Sequence, residues 1–251
     1  MKKMILPQRT GVAAIALLAA FAVVAPAVTA SAAESGANTE SSTAVLPRPK
    51  YTVASYTKYL EKRAKKDASA RAVLKHFKKL SSAKKKKFVY YIQDTKTQKA
   101  FVGNASKKGK KKFSTVAAYN KDVTFTSTTV AASRTAKSTK TVSLSVTATE
   151  RIFDIPVTSA TTTLSYETGK DGMITGKGRK SGHKGTNFNA AFTVKAGATT
   201  FAPEANMLDA VTNWTATPRF KSAGTKPIKK LQVLTGLGDH GTATTFRTVG
   251  S

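Results

Sequence analysis

The 251-residue sequence contains no cysteine. This absence excludes disulfide bonds, thiol nucleophiles and cysteine-ligated metals, so packing and hydrogen bonding alone have to stabilise the fold. Acidic residues are also scarce, with 13 aspartates and glutamates against 42 lysines and arginines. The sequence also contains only three histidines and one tryptophan. Few side chains are therefore left for general acid–base catalysis, and we predict no catalytic residue, metal site or cofactor.

A hydrophobic run long enough to cross a membrane is missing as well. The apolar run at 12–24 is about half of the roughly 20 residues that a membrane-spanning helix needs. Three basic residues precede it, and small residues follow it up to Ala30-Ser31-Ala32. This order is typical of a secretory signal peptide, which we predict over residues 1–32, with an uncleaved membrane anchor as the alternative. We therefore expect a secreted protein, either extracellular or noncovalently associated with the cell envelope.

Positive charge is abundant and unevenly distributed. The formal net charge is +29. Residues 58–112 contain 20 lysines and arginines against three acidic residues, whereas residues 122–251 contain 16 against eight. A field of this sign favours adhesion to anionic polymers, and its concentration in one quarter of the chain predicts where the contact is made.

The N-terminal half of the predicted mature chain has helical periodicity. Residues 33–50 lack any apolar period and are predicted to be a disordered lead-in. From Tyr56 to Leu80 the apolar residues recur every three or four positions, which predicts an amphipathic helix. Serines after Leu80 can cap a second helix, and Asp94 or Thr95 a short third one. We therefore predict a small basic helical unit over residues 51–104.

The pattern then changes to alternation. Residues 105–121 are predicted to be a basic linker, because the lysines repel one another. Beyond it, apolar and hydroxyl residues alternate, most clearly in Val142-Ser143-Leu144-Ser145-Val146, which predicts half-buried strands. The fold class that follows is α+β: a small basic helical N-terminal unit, then an antiparallel β-sandwich or barrel-like domain over residues 122–251.

Three segments of this β-region carry a resemblance to a protein group. They are residues 142–149, the Phe153-Asp154-Ile155-Pro156-Val157 stretch, and Leu164-Ser165-Tyr166-Glu167-Thr168-Gly169. Alternation followed by a tyrosine strand and a glycine turn resembles the β-rich C-terminal domain of uncharacterised secreted actinobacterial proteins. The resemblance covers about a third of the mature chain and implies export and an all-β module, with no assigned activity. Many members of the group have a cysteine pair that this chain lacks.

Several residues invite a chemical interpretation that their surroundings do not support. His76 lies among lysines, and Asp239-His240 lies between two glycines, which is typical of a turn. The glycine-rich basic segment 176–185 has neither P-loop nor dinucleotide-binding spacing. It is interpreted as a mobile basic loop, with anion contact as the alternative. Trp214 is interpreted as a core residue, with a carbohydrate or partner surface as the alternative.

Binding to anions is the strongest functional hypothesis. Teichoic acid, extracellular DNA and anionic membrane surfaces all present phosphate arrays that attract lysine clusters. Lysine dominates over arginine in the basic segment, which favours non-sequence-specific attraction. Alternatives are a membrane-active toxin or antimicrobial protein with an inserting hairpin over 123–146, a secreted hydrolase with an unrecognised site, and lysines that only solubilise the protein. The predicted anion-binding residues are Lys84, Lys85, Lys86, Lys87, Lys107, Lys108, Lys110, Lys111 and Lys112.

Overall fold

The computed structural model describes residues 51–108, 112–136, 138–239 and 241–249, with the side chains of residues 104–108 outside the description. These residues lie in a compact unit that spans residues 45–251. The predicted signal peptide at 1–32 and the predicted lead-in at 33–50 lie outside the described residues.

Helices precede strands along the chain. The helices are α1 (Val53–Ala64), α2 (Ala68–Lys79), α3 (Ser82–Gln93) and α4 (Thr95–Ala100). The strands are β1 (Gly103–Lys108), β2 (Lys112–Ala118), β3 (Val123–Ala136), β4 (Thr139–Ile152), β5 (Ile155–Thr168), β6 (Lys180–Asn187), β7 (Phe192–Glu204), β8 (Met207–Pro218), β9 (Ile228–Leu237) and β10 (Gly241–Thr248). A 3₁₀ helix, Lys221–Ala223, separates β8 from β9. Among the described residues, no helix is both long and apolar enough to span a membrane.

Side-chain caps set the helix boundaries. The apolar stripe from Tyr56 to Leu80 predicts one helix, but the structure has two, α1 and α2. The break occurs because the carboxylate of Asp67 accepts hydrogen bonds from the N–H groups of Ser69 and Ala70 and starts a new helix. Ser81 caps α3, and Asp94, one of the two predicted candidates, caps α4.

The strands form two antiparallel five-stranded sheets. Sheet A has the order β1-β10-β9-β8-β7, and sheet B has the order β2-β3-β4-β5-β6. The chain passes from one sheet to the other between β1 and β2 and again between β6 and β7. The predicted α+β class, with mostly antiparallel strands in a sandwich-like arrangement, is confirmed. The segment 123–146, considered as an inserting hairpin, contributes β3 and half of β4 to the middle of sheet B.

The structure differs from the sequence prediction at the basic linker over 105–121. This segment contains most of β1 and all of β2. Gly103 pairs with Phe246 at the start of β1, and Lys112 pairs with Val130 at the start of β2. The partner strands supply backbone hydrogen bonds that the segment cannot make locally, and these outweigh the repulsion between neighbouring lysines.

The four helices, termed here the helical layer, cover one end of the sandwich. Tyr56 Oη donates to the carbonyl of Phe188 at 3.0 Å, in the β6–β7 connection. Thr95 Oγ1 donates to the carbonyl of Ala223 at 2.8 Å, in the β8–β9 connection. Buried residues of the helices and of both sheets form a single apolar cluster, which includes Phe88 and Phe246. The helical layer is therefore part of the same hydrophobic core as the strands.

A polar layer divides the interior of the sandwich. Thr162, Thr212 and Gln232 are fully buried between the cluster below the helices and a second apolar cluster around Leu164 and Leu234. Gln232 Oε1 accepts hydrogen bonds from Thr162 Oγ1 at 2.9 Å and from Trp214 Nε1 at 3.0 Å. Thr162 Oγ1 also lies 2.8 Å from Thr212 Oγ1. These bonds satisfy the buried polar groups and fix how the two sheets face each other.

Candidate anion-binding surface

The first four predicted anion-binding residues lie together at the start of α3. Lys84, Lys86 and Lys87 are exposed, and Lys85 is half-exposed. Lys87 Nζ lies 3.7 Å from a carboxylate oxygen of Asp122, and Lys84 Nζ lies 5.6 Å from the centre of the Phe153 ring. Both contacts are at the protein surface and leave the ammonium groups open to solvent and to a ligand.

The sequence of α3 explains this position. Phe88, Val89 and Ile92 are buried against the core, so the lysines before them project from the other side of the helix. The first turn contains no acidic residue. Cations near a helix N-terminus oppose the helix dipole, so this placement of the lysines does not stabilise α3.

The remaining predicted residues lie elsewhere in the fold. Lys107 and Lys108 are in β1, opposite Thr242 and Gly241 of β10. Lys112 is exposed at the start of β2, opposite Val130. Lys110 and Lys111 lie outside the described residues. The sequence prediction thus groups residues from two regions, the helical layer and a pair of neighbouring strands.

The helical layer also contains exposed cations that were not singled out from the sequence. They occupy the polar positions of α1, of α2 and of the loop between them, on the side opposite to the apolar stripe. These residues are Lys58, Lys62, Lys65, Lys66, Arg71, Lys75, Lys78 and Lys79. Of these, Lys78 forms an ion pair with Glu61 at 2.8 Å. The helical periodicity was the signal that could have identified this larger basic surface.

Two oppositely charged residues are buried where the helical layer meets the sheets. Gln98 Nε2 donates to both carboxylate oxygens of Glu150, at 2.9 and 3.1 Å. Lys230 Nζ donates to the carbonyl of Phe101 at 2.7 Å and to Thr248 Oγ1 at 3.0 Å. Burial raises the pKa of Glu150 to about 7, and hydrogen bonds from Thr158 and Gln98 oppose this rise. Burial also lowers the pKa of Lys230 to about 8, opposed by the charge of Glu150.

The geometry around these two charges favours a structural role. The adjoining cavity, lined among others by Gln98, Thr158 and Lys230, has a volume of about 10 Å³, which is space for about one water molecule. The acceptors of Lys230 belong to the end of the helical layer and to the last strand, so the ammonium group joins these segments. Sequence alternation could have identified both residues, because each occupies an inward position of its strand, as in Ile228-Lys230-Gln232-Leu234.

Of the histidines and the tryptophan, the structure brings His183 and Trp214 into contact and places His76 on α2. Trp214 is 3% exposed and belongs to the core, in line with its main interpretation. His183 is exposed, lies 3.0 Å through Nδ1 from Thr199 Oγ1, and contacts Trp214 edge to face. His76 is exposed on α2, whereas His240 is not described. No group of three histidine, aspartate or glutamate side chains that could hold a metal ion occurs in the described ranges.

The basic segment 176–185 is not a loop throughout, because residues 180–185 lie in β6 and pair with β5. Gly176 and Gly178 have positive φ angles of 78° and 63°, and β6 begins two residues later. A phosphate-binding loop of the P-loop type requires a helix N-terminus at this point, so this segment does not provide one.

Comparisons of the chain with protein-family models, with curated proteins and with solved structures found no match.

Proposed function

We propose that this is an exported, non-enzymatic protein that binds anionic polymers of the cell envelope or the extracellular matrix, with the helical layer as a basic binding unit. The observation that carries the proposal is the concentration of exposed cations on the helical layer. Residues 53–100 contain 15 lysines and arginines against three acidic residues. Such a surface attracts phosphate arrays by counterion release.

Teichoic acid and extracellular DNA are the two polymers that fit this surface. Lysine contributes most of the charge, and an ammonium group contacts phosphates as a point charge rather than reading base edges in a fixed geometry. Binding without sequence preference is therefore expected. The start of α3 supports this role, because four consecutive lysines occupy a position where they oppose the helix dipole.

A salt titration tests the proposal. The affinity of the protein for poly(glycerol phosphate) and for single-stranded DNA is measured at several salt concentrations, and then repeated with Lys84, Lys85, Lys86 and Lys87 replaced by Gln. If all four contact phosphates, the slope of log affinity against log salt concentration should fall by about 3. A matched variant with four exposed sheet and loop lysines changed to Gln, Lys170, Lys195, Lys226 and Lys229, loses the same charge and should keep most of the slope.

Two results would contradict the proposal. Equal losses in the two variants would mean that total charge, and not the helical layer, determines binding. Failure of the unmodified protein to bind either polymer at low salt would remove the polymer-binding role altogether.

A further inference from the structure

A surface pocket at the end of α1 combines cations from separate parts of the chain. It has a volume of about 520 Å³ and is lined by Tyr59, Lys62, Arg63, Lys66, Asp67 and Arg219. Arg219 follows β8 and is far from α1 in sequence. The volume lies in the range of small-molecule sites, which is roughly 300–1,000 Å³.

The single carboxylate of the pocket already has partners. Asp67 Oδ1 accepts hydrogen bonds from the N–H groups of Ser69 and Ala70 at 2.8 and 3.2 Å. Its Oδ2 lies 3.5 Å from Arg63 Nη2. Within the described ranges, no ion pair involves Lys62, Lys66 or Arg219. Three exposed cations therefore face the pocket without a counter-ion from the described chain.

Arg63 and Tyr59 form an ordered floor. Arg63 Nη1 donates to Tyr59 Oη at 3.0 Å and also to the carbonyl of Asn187. The guanidinium carbon of Arg63 lies 4.8 Å from the centre of the Phe188 ring. Since Tyr59 Oη accepts this bond, its own proton is available to donate to a ligand, and the nearby guanidinium strengthens it as a donor.

Helix stability accounts for only part of this cluster. Lys62 and Arg63 lie in the last turn of α1, where cations complement the helix dipole. Lys66 and Arg219 lie outside α1, and bringing them to the same pocket increases repulsion between like charges. A bound anion would relieve this repulsion and stabilise the folded protein.

We infer that this pocket binds the phosphate ester of a polyol or sugar. Lys62, Lys66 and Arg219 would contact the phosphate oxygens, with Tyr59 Oη as an additional donor above Arg63. A phosphate group alone is much smaller than the pocket, so the remaining volume takes the organic part of the ester. The ester could be a free metabolite or one unit of a polyol-phosphate polymer, and only the second source depends on the proposed function.

Titration calorimetry and thermal unfolding with glycerol 3-phosphate test this inference. The unmodified protein should bind glycerol 3-phosphate more tightly than inorganic phosphate, should not bind glycerol, and should unfold at a higher temperature with the ester present. The Lys66→Gln, Arg219→Gln double variant should bind the ester about tenfold more weakly or worse, because charge-assisted contacts are lost. The matched control is Lys58→Gln with Lys75→Gln, two exposed helical cations that do not line the pocket, and it should bind like the unmodified protein.

Equal weakening of ester binding in the two double variants, or equal affinity for inorganic phosphate and the ester, would overturn the inference. If the pocket variant is not folded by circular dichroism, the single variant Lys62→Gln, at an exposed position, provides the same comparison. Poly(glycerol phosphate) separates the two sources. A parallel loss of polymer affinity in the pocket variant identifies a polymer unit, whereas unchanged polymer affinity identifies a free ester. If the protein binds the ester but no polymer, the inference about the pocket stands and the proposed polymer-binding role is contradicted.

Discussion

The helical layer and the outer face of sheet B both face solvent, but they use different polar side chains. The helical layer is covered by lysines. The outer face of sheet B consists mainly of hydroxyl residues on its central strands: Thr126, Thr128, Ser143, Ser145, Thr147, Thr149, Ser159, Thr161, Thr163 and Ser165. The hydroxyls pair across strands, as in Thr147 with Thr161, whose oxygens are 2.9 Å apart.

This difference shows that the protein does not need lysine to form a polar surface. Threonine and serine suit extended strands and hydrogen-bond to one another without repulsion, whereas clustered lysines repel and lower the stability of the layer that holds them. Cations also occur on this face, but they lie toward the strand ends and on the edge strand, as with Arg134, Lys180 and Lys184. The two surfaces thus differ in how closely their cations are grouped, and the proposed polymer-binding role rests on this contrast.

The largest expected effect tests whether the helical layer and the sheets unfold together. Phe88 is fully buried and contacts the rings of Tyr56 and Phe77. Phe88→Ala should lower the free energy of unfolding by about 3–5 kcal/mol, because it removes apolar contacts and leaves a cavity. Urea unfolding is followed by circular dichroism for the helices and by the fluorescence of Trp214, the sole tryptophan, for the sandwich.

In the unmodified protein and in Phe88→Ala alike, the circular dichroism and the Trp214 fluorescence should change at the same urea concentration, since the helices and sheets share one core. Ser143→Thr on the outer face of sheet B is the control. This residue is exposed and the substitution keeps a hydroxyl group, so the free energy of unfolding should change by no more than about 0.5 kcal/mol. Separate transitions for the two signals would show that the helical layer is an independent folding unit. The helical layer and the sheets could then not be compared as two surfaces of one folding unit.

The next effect concerns the buried charges between the two regions. The folded protein raises the pKa of Glu150 from 4.5 to about 7, so the contribution of this group to stability is complete below pH 4.5 and is lost as the pH rises through 7. The unmodified protein should therefore lose about 3 kcal/mol over this range relative to Glu150→Gln. Asp154→Asn, at an exposed carboxylate of the β4–β5 turn, should give a curve parallel to that of the unmodified protein.

Lys230 should give the opposite slope at higher pH. Its pKa falls from 10.5 to about 8 in the fold, so the unfolded chain binds more protons between these values and stability rises with pH across that window. Lys230→Met should remove this rise. Denaturant midpoints at several pH values measure how stability changes with pH in the unmodified protein, in Glu150→Gln and in Lys230→Met. The same pH dependence in all three proteins would contradict the pKa shifts of Glu150 and Lys230.

A smaller effect is expected in the polar layer of the sandwich. Thr162→Val keeps the shape of the side chain but removes its hydrogen bond to Gln232 and its contact with Thr212. The free energy of unfolding should fall by about 1–2 kcal/mol. The neighbouring Thr163→Val changes an exposed hydroxyl on the outer face and should stay within about 0.5 kcal/mol of the unmodified protein. Thermal unfolding of the two variants measures the difference directly.

The smallest effect separates stability from anion binding within α3. Ser82 is the first residue of α3 and is exposed. Ser82→Glu should stabilise the protein by about 0.3–1 kcal/mol, because a negative charge near the helix N-terminus complements the dipole and the following lysines. It should also weaken DNA binding, whereas the neutral Ser82→Gln should leave DNA affinity nearly unchanged. A gain in stability together with undiminished DNA affinity would argue against α3 as part of the binding surface.

Sequence reasoning reached the local features of the fold and missed those that depend on distant partners. Alternation identified parts of strands β3, β4 and β5, and the predicted caps, a serine after Leu80 and either Asp94 or Thr95, were located to within one residue, because each depends on residues a few positions away. The strand β1 was missed, since its pairing partner β10 lies at the other end of the described chain. The strand β2 pairs with its neighbour β3 and was missed because its lysine-rich start was interpreted as part of a linker. The pocket around Lys66 was missed for the same reason as β1, because Arg219 arrives from a different part of the sequence.

By itself, the sequence determined the excess of positive charge, its concentration in residues 58–112, the absence of disulfides and the change from helical to alternating periodicity. The tertiary structure alone decided that the helices and strands share one core, that Glu150 and Lys230 are buried near each other, and that cations at the end of α1 and just after β8 line one pocket. The physical reason is that periodicity and capping depend on near neighbours in the chain. Burial, pKa shifts and charge clusters depend on which distant segments the fold brings into contact.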